Sequence, residues 1–115
     1  MRHSTALIPA LDPLIEELKS YGAERIILFG SLARGDADAD SDADLVVVKR
    51  TTMNFVDRLA DIVRKCPSTL KATCNVDIIV YTPEEFHRMQ EAENPFLEDV
   101  LRDGKLLYEK AQAAG

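Results

Sequence analysis

Interleaved helix and strand patterns place this chain in the α/β or α+β class, a layered domain. Two observations predict it. Short apolar runs of strand character recur at Glu24–Phe29, Asp44–Lys49 and Asn75–Tyr81. Between them lie stretches with helical apolar spacing, opened by capping residues and closed by Gly or Pro. The length, 115 residues, allows one core and not two, so residues 1–115 read as a single domain.

Residues 1–10 read as a loosely held lead-in. Asp12-Pro13 opens the first helix, with Asp as N-cap and Pro at the first helical position. Leu11, Leu14, Ile15, Leu18 and Tyr21 form its apolar stripe, and Gly22 supplies the stop. Glu16, Glu17, Lys19 and Ser20 make the wet face. Strand one, Glu24–Phe29, leads into a helical turn at Ser31–Arg34 and a loop from Gly35 to Ser41. After strand two, Asn54 caps a helix with Phe55, Leu59, Ile62, Val63 and Cys66 on one side, and Pro67 stops it. Strand three follows. Thr82-Pro83-Glu84-Glu85 is a capping box opening a helix through about Ala92. Asn94-Pro95 caps another, which ends at Asp103-Gly104, and Lys105–Tyr108 reads as a last short strand. The tail from Glu109 to Gly115 is expected to fray.

Charge narrows the partners. Net charge is −6, and no Lys/Arg cluster exceeds two residues, so a long nucleic acid bound as a polyanion is disfavoured. No run approaches the ~20 apolar residues that cross a bilayer, which excludes a membrane partner and makes the cytoplasm the expected location. Cys66, Cys74, His3 and His87 form no zinc pattern, and the two cysteines read as free, partly buried thiols. Two histidines and no Ser/His/Asp arrangement leave no support for a hydrolase nucleophile. His87 and Arg88 read as surface residues.

The chemistry-bearing stretch is Gly30-Ser31-Leu32-Ala33-Arg34-Gly35, followed by an acidic segment, Asp36 to Asp44, that holds five carboxylates. A strand ending in Gly-Ser and a helical turn aims backbone N–H groups and a positive dipole end at an anion. Ser31 and these N–H groups would hold β- or γ-phosphate oxygens, with Gly30 allowing close backbone approach. Strand period puts Asp42 and Asp44 on one sheet face. Two parallel carboxylates repel unless a cation, proton or water intervenes, and Mg²⁺ suits them because it takes oxygen ligands and leaves places for phosphates. Cradle and carboxylates together suit a nucleoside triphosphate held with divalent metal. The plain alternative is an acidic, solvated loop running into a strand. A calcium loop fails, since Ser41 stands at the sharp-turn Gly position and Val47 at the position of the last Glu. Arg34 either clamps the triphosphate or offsets the aspartates, and Asp36, Asp38 and Asp40 read as solvated loop residues. Parity adds one point. If Leu45, Val47, Val76, Ile78 and Val80 face helices, the other face carries Asp42, Asp44 and Asp77 beside Val46, Val48, Ile79 and Tyr81. That face is too apolar for water, so the substrate base, another part of the chain or a partner subunit must cover it.

Gly30-Ser31, ten residues from Leu32 to Ser41, then Asp42-Ala43-Asp44, with apolar strands on both sides, closely resembles the signature of the DNA-polymerase-β-like nucleotidyltransferases. It is most similar to their minimal nucleotidyltransferase (MNT) branch. The resemblance implies a nucleotidyltransferase fold, a small mixed sheet with helices packed on one face. It implies catalysis by Asp42, Asp44 and Asp77, which would hold two Mg²⁺ ions (Mn²⁺ substituting), and nucleotide binding by Gly30, Ser31 and Arg34. Asp77 would complete the second metal site or take the proton of the attacking hydroxyl. ATP would be the substrate, with AMP passed to a hydroxyl and pyrophosphate released. Larger relatives add a domain for the acceptor, for which this chain has no room. Stand-alone chains of this pattern resemble the MntA-like antitoxin half of MNT–HEPN pairs, which implies a helical HEPN ribonuclease partner and a tyrosine acceptor. The apolar site face is equally consistent with a homo-oligomer. The competing expectation is a non-catalytic subunit that binds nucleotide or masks a partner by contact alone; the joint presence of Asp42, Asp44 and Asp77 argues against a decayed site.

Overall fold

The computed structural model describes residues 2–3, 11–35, 42–71 and 75–111. In chain order its elements are β1 (Arg2–His3), α1 (Asp12–Tyr21), β2 (Arg25–Phe29), α2 (Ser31–Arg34), β3 (Ala43–Val48), α3 (Phe55–Lys65), α4 (Ser68–Lys71), β4 (Val76–Tyr81), α5 (Pro83–Glu91), α6 (Pro95–Asp103) and β5 (Lys105–Glu109). The strands form one mixed sheet in the order β1-β5-β2-β3-β4. β2 pairs antiparallel with β3 and β5, whereas β3 and β4 run parallel, joined by the α3–α4 crossover.

Strand alternation sorts the side chains as parity requires. Ile26, Leu28, Leu45, Val47, Ile78 and Val80 pack with Leu14 and Leu18 of α1 and Ile62 of α3. Ile27, Val46 and Val48 face the other way and pack with Phe86 of α5 and with Leu97 and Val100 of α6. The mixed sheet with interleaved helices is the fold the sequence predicts. Its helices are not confined to one face: α5 and α6 cover the second, because Val46 and Val48 are as apolar as their neighbours and need burial. Of the possible covers for that face, another part of the same chain is the one found there.

The capping chemistry is mostly as the sequence spells it. Asn54 Oδ1 accepts from Asp57 N–H and Asn94 Oδ1 from Leu97 N–H. Thr82 and Glu85 form the reciprocal capping box, and Gly22, with φ of 114°, ends α1 in a left-handed turn. Asp12 is a correction. The N-cap is Leu11, whose burial to 1% exposure pulls the start of the helix one residue earlier. Asp12 becomes a first-turn carboxylate at the positive helix end. A short helix after Pro67, α4, was not expected. Its first residue is held by Glu17 of α1, which accepts from Ser68 N–H at 2.9 Å and Ser68 Oγ at 2.6 Å. Cys66 is buried and free, and Cys74 lies outside the described residues.

The inner side of α3 also differs from the expected stripe. Phe55 and Leu59 are exposed, while Arg58 and Asp61 are buried beside Ile62. Arg58 explains the exchange. Its guanidinium meets both oxygens of Glu85 at 2.6 and 3.1 Å, the Val80 carbonyl at 3.0 Å and the Met53 carbonyl at 3.1 Å. Asp61 accepts from the Tyr21 hydroxyl and from Arg64. Buried charge is tolerated when it is paired and hydrogen-bonded in this way.

The Arg58 fork beside Glu85 holds that carboxyl below its ordinary value, against the opposing effect of burial. The ion pair's stabilisation is therefore complete above the unfolded glutamate value of about 4.3. It is lost as pH falls from there through the lower folded value. Arg58→Ala is expected to cost about 3 kcal/mol by leaving Glu85 and the Val80 carbonyl without their partner. Glu85→Gln should flatten the acid limb of stability measured by urea melts from pH 7 to 3. An acid limb of unchanged slope would contradict the assignment.

Candidate active site

β2 ends at Phe29, and Gly30 turns the chain into α2 with φ 78° and ψ −158°. That region of backbone space is essentially restricted to glycine. Ala33 and Arg34 donate their N–H groups to the Gly30 carbonyl at 3.1 Å. The N–H groups of Ser31 and Leu32 belong to the first turn, which has no intrahelical acceptor for them. Glycine is required here for a second reason. A Cβ built at Gly30 would stand 2.4 Å from Asp44 Oδ2, so the carboxylate occupies the place a side chain would take.

Sheet register brings the acidic residues to that spot. Asp44 pairs with Phe29 across the antiparallel β2–β3 ladder and with Asp77 across the parallel β3–β4 ladder. Asp42, two residues earlier, stands just before β3. Asp42 and Asp44 are half-buried and Asp77 is exposed. Burial pushes the Asp44 carboxyl above its ordinary value, with the negative charges of Asp77 and Asp42 adding to the rise and Arg34 opposing it. Arg34 lies near enough also to lower Asp103 of α6, whose main partner is Arg102. All six sequence-predicted site residues thus gather at one end of β2, β3 and β4. Asp36, Asp38 and Asp40 lie outside the described residues. His87 is on the surface of α5, paired with Glu91, and Arg88 is exposed on the same helix.

The donor set is carboxylate oxygen beside an anion-facing turn. Among the described residues no three His, Cys, Asp or Glu side chains already enclose a cation position. Mg²⁺ is commonly held by one or two carboxylates together with substrate phosphates and water, so an open, mutually repelling set of this kind fits it. No helix among the described residues is long and apolar enough to cross a membrane.

Two neighbours of the site were missed from sequence. Asp103 and Phe96 sit on α6, far along the chain, and reach the site only because α6 packs on β2 and β5 returns beside β2. The Phe96 ring meets Phe29 edge-on, with centroids 5.4 Å apart and planes at 87°. No local motif announces either residue.

Comparison with known proteins points to one family. The family model described as polymerase beta, nucleotidyltransferase matches residues 13–113. A Methanocaldococcus jannaschii protein described as a "putative protein adenylyltransferase" is 34% identical over 102 residues, covering 86% of this chain and 95% of the relative. The crystal structure of a "putative nucleotidyltransferase" from Sulfolobus solfataricus superposes with a TM-score of 0.60 at 28% identity, covering 88% of this chain and 78% of that one. A toxin–antitoxin crystal structure with AMP-PNP gives a TM-score of 0.60 at 24% identity, covering 88% and 74%, and is similar in fold.

The Gly30–Asp44 contact makes two expectations. Gly30→Ala should lose roughly 1–3 kcal/mol for the backbone region alone, and more from the contact with the carboxylate. Adding Asp44→Ala should recover the second part, so a double-mutant cycle by chemical denaturation should be clearly non-additive; additive losses would refute the contact. Asp44 itself titrates above its ordinary value, so ionising it costs stability. That cost is full above the raised folded value, shrinks as pH falls through it, and is gone below the unfolded value of about 3.9. Without metal, Asp44→Asn should therefore melt at or slightly above the wild type at pH 7. It should also lack the stability the wild type gains on mild acidification. A clearly lower melt in chelator would instead make Asp44 a structural cap.

Proposed function

The chain belongs to the polymerase beta nucleotidyltransferase family, and from that premise we propose that it moves AMP from ATP to a hydroxyl of a protein, releasing pyrophosphate. The observation that carries the proposal is the joint at Gly30: phosphate-facing turn and Asp44 carboxylate share one space, with Asp77 in register beside them. The M. jannaschii relative, aligned over nearly its whole length and described as an adenylyltransferase of proteins, supports a protein acceptor. The fold shared with a toxin–antitoxin structure supports an antitoxin role, and the acceptor we propose is a tyrosine on a helical HEPN ribonuclease.

Each residue then has a task. Ser31 and the first N–H groups of α2 bind the β- and γ-phosphate oxygens and hold the pyrophosphate as it leaves. Arg34, near Asp44 and Asp103, steadies the triphosphate's negative charge from the side of α2. Asp42 and Asp44, with Asp77, would hold Mg²⁺. Bound there, the metal would neutralise phosphate charge and make the acceptor hydroxyl more acidic. Asp77 is exposed on β4, across Asp44 from the end of β2 and the turn that follows it. One of its carboxylate oxygens would accept the hydroxyl proton as oxygen attacks the α-phosphorus in line and pyrophosphate leaves.

The test combines binding with transfer. ATP should bind in Mg²⁺ or Mn²⁺ and lose most of its affinity in excess chelator, measured by calorimetry. With α-labelled ATP and the co-expressed partner, label should pass to a partner tyrosine. In Asp44→Asn it should fall by orders of magnitude, because charge developing at the phosphate loses its anchor. Equal affinity in chelator, or undiminished transfer by Asp44→Asn, would overturn the proposal.

A further inference from the structure

The aromatic pair beside the carboxylates has no task in the chemistry above. Phe29 is the cross-strand partner of Asp44, and directly opposed residues of an antiparallel pair put their side chains next to each other on one face. Phe29 lies on the face that α5 and α6 cover, packed against their cluster. Phe96, in the first turn of α6, stands 5.4 Å from it and perpendicular to it. It is thus one cross-strand neighbour and one ring contact away from the Asp44 carboxylate. That contact does not enclose the ring: Phe96 is 37% exposed. The other large apolar side chains exposed among the described residues are on α3 and α4. Of these, Phe55 packs near Tyr81, at the opposite end of β4 from Asp77.

We infer that Phe96, held perpendicular against Phe29, is the surface on which the base of the nucleoside triphosphate stacks; the inference rests on the nucleotidyltransferase reading. The order across the sheet decides for the nucleotide over the acceptor. Phe29, Asp44 and Asp77 lie on β2, β3 and β4 in turn. Gly30 and Ser31 follow Phe29 in the chain, so cradle and rings share the β2 side, and the Asp77 side is left to the incoming hydroxyl. A phenyl face accepts any base, because stacking needs only a π-surface. Stacking of this kind fixes the sugar and α-phosphate in position without selecting adenine by hydrogen bonds.

The test uses the full chain in Mg²⁺ and two ligands, ATP and inorganic tripolyphosphate, titrated by calorimetry. Phe96→Ala and Phe96→Leu should weaken ATP roughly ten-fold or more, the usual loss on removing one base–aromatic stack. Tripolyphosphate, which has no base, should bind all variants as it binds the wild type, and Phe96→Tyr should keep its ATP affinity. Phe96→Leu retains the apolar contact with Phe29, so it stands in if the alanine variant fails to fold. Equal loss for both ligands would mean that Phe96 only supports the cradle, and unchanged ATP affinity would remove the stack; either overturns the inference. Unchanged ATP affinity with a raised KM for the acceptor would give the ring to the acceptor and also overturn it. A wild type that binds ATP but is indifferent to Phe96 defeats the stack alone. A wild type that binds neither ligand defeats the nucleotidyltransferase reading and this inference with it.

Discussion

The carboxylate of Asp44 fills the space where residue 30 has no side chain, and the rest of the site depends on that contact. It sets how closely the turn after β2 approaches the acidic start of β3. It also explains a backbone conformation that only glycine adopts comfortably. The contact exists because Phe29 and Asp44 are opposed in the β2–β3 ladder. A slip of one residue would turn Asp44 towards α1 and α3 and leave the turn without its acidic neighbour. The parallel register with β4 then carries the same constraint one strand further, to Asp77.

Two helical layers fit this register. α1 and α3 bury one face and α5 and α6 the other, so a slip would exchange the side chains of the two layers and force both to repack. The Arg58 fork couples three elements, tying α3 to the end of β4 and to the capping box of α5. Because β4 carries Asp77 near its start and meets Arg58 near its end, the same strand is held by the core and serves the site. Asn54, Thr82 and Asn94 start three helices at fixed points, which keeps the covering layers in step with the sheet.

What the sequence made legible is what short-range physics controls. Gly30-Ser31, the pair Asp42 and Asp44, the capping box at Thr82 and the alternation in β3 and β4 each depend on residues a few positions apart. The candidate site residues other than Asp77 come together because β2, α2 and β3 are consecutive, so their geometry is nearly local. Asp77 came from family resemblance and not from spacing, since it reaches the site only through a crossover. Long-range contacts were invisible. Arg58 reads as a charge on a helix until Glu85, 27 residues later, closes on it. The covering of the second face by α5 and α6 left parity undecided between chain, substrate and partner. Asp12 misled because the burial of Leu11 outweighed an otherwise good capping residue.

Two carboxylates show how this domain divides stability from function. Glu85 sits in a fork of hydrogen bonds that lowers its pKa, so its ionised form favours the fold. Asp44 has burial and two like charges that raise its pKa, so its ionised form opposes the fold. The chemical group is the same, and only the company differs. The favourable carboxylate lies at the α3–α5 junction, away from the candidate site, whereas the unfavourable one lies against Gly30, where the turn into α2 begins. Proteins tolerate such local cost where a ligand will relieve it. In the proposed reaction the relief would have a direction: a cation would answer the carboxylates and phosphates the turn. Only the two together would satisfy both sides of the Gly30–Asp44 contact, so on that proposal each should bind more tightly in the presence of the other. That mutual dependence follows from the packing of one oxygen against one glycine, before any step of chemistry begins.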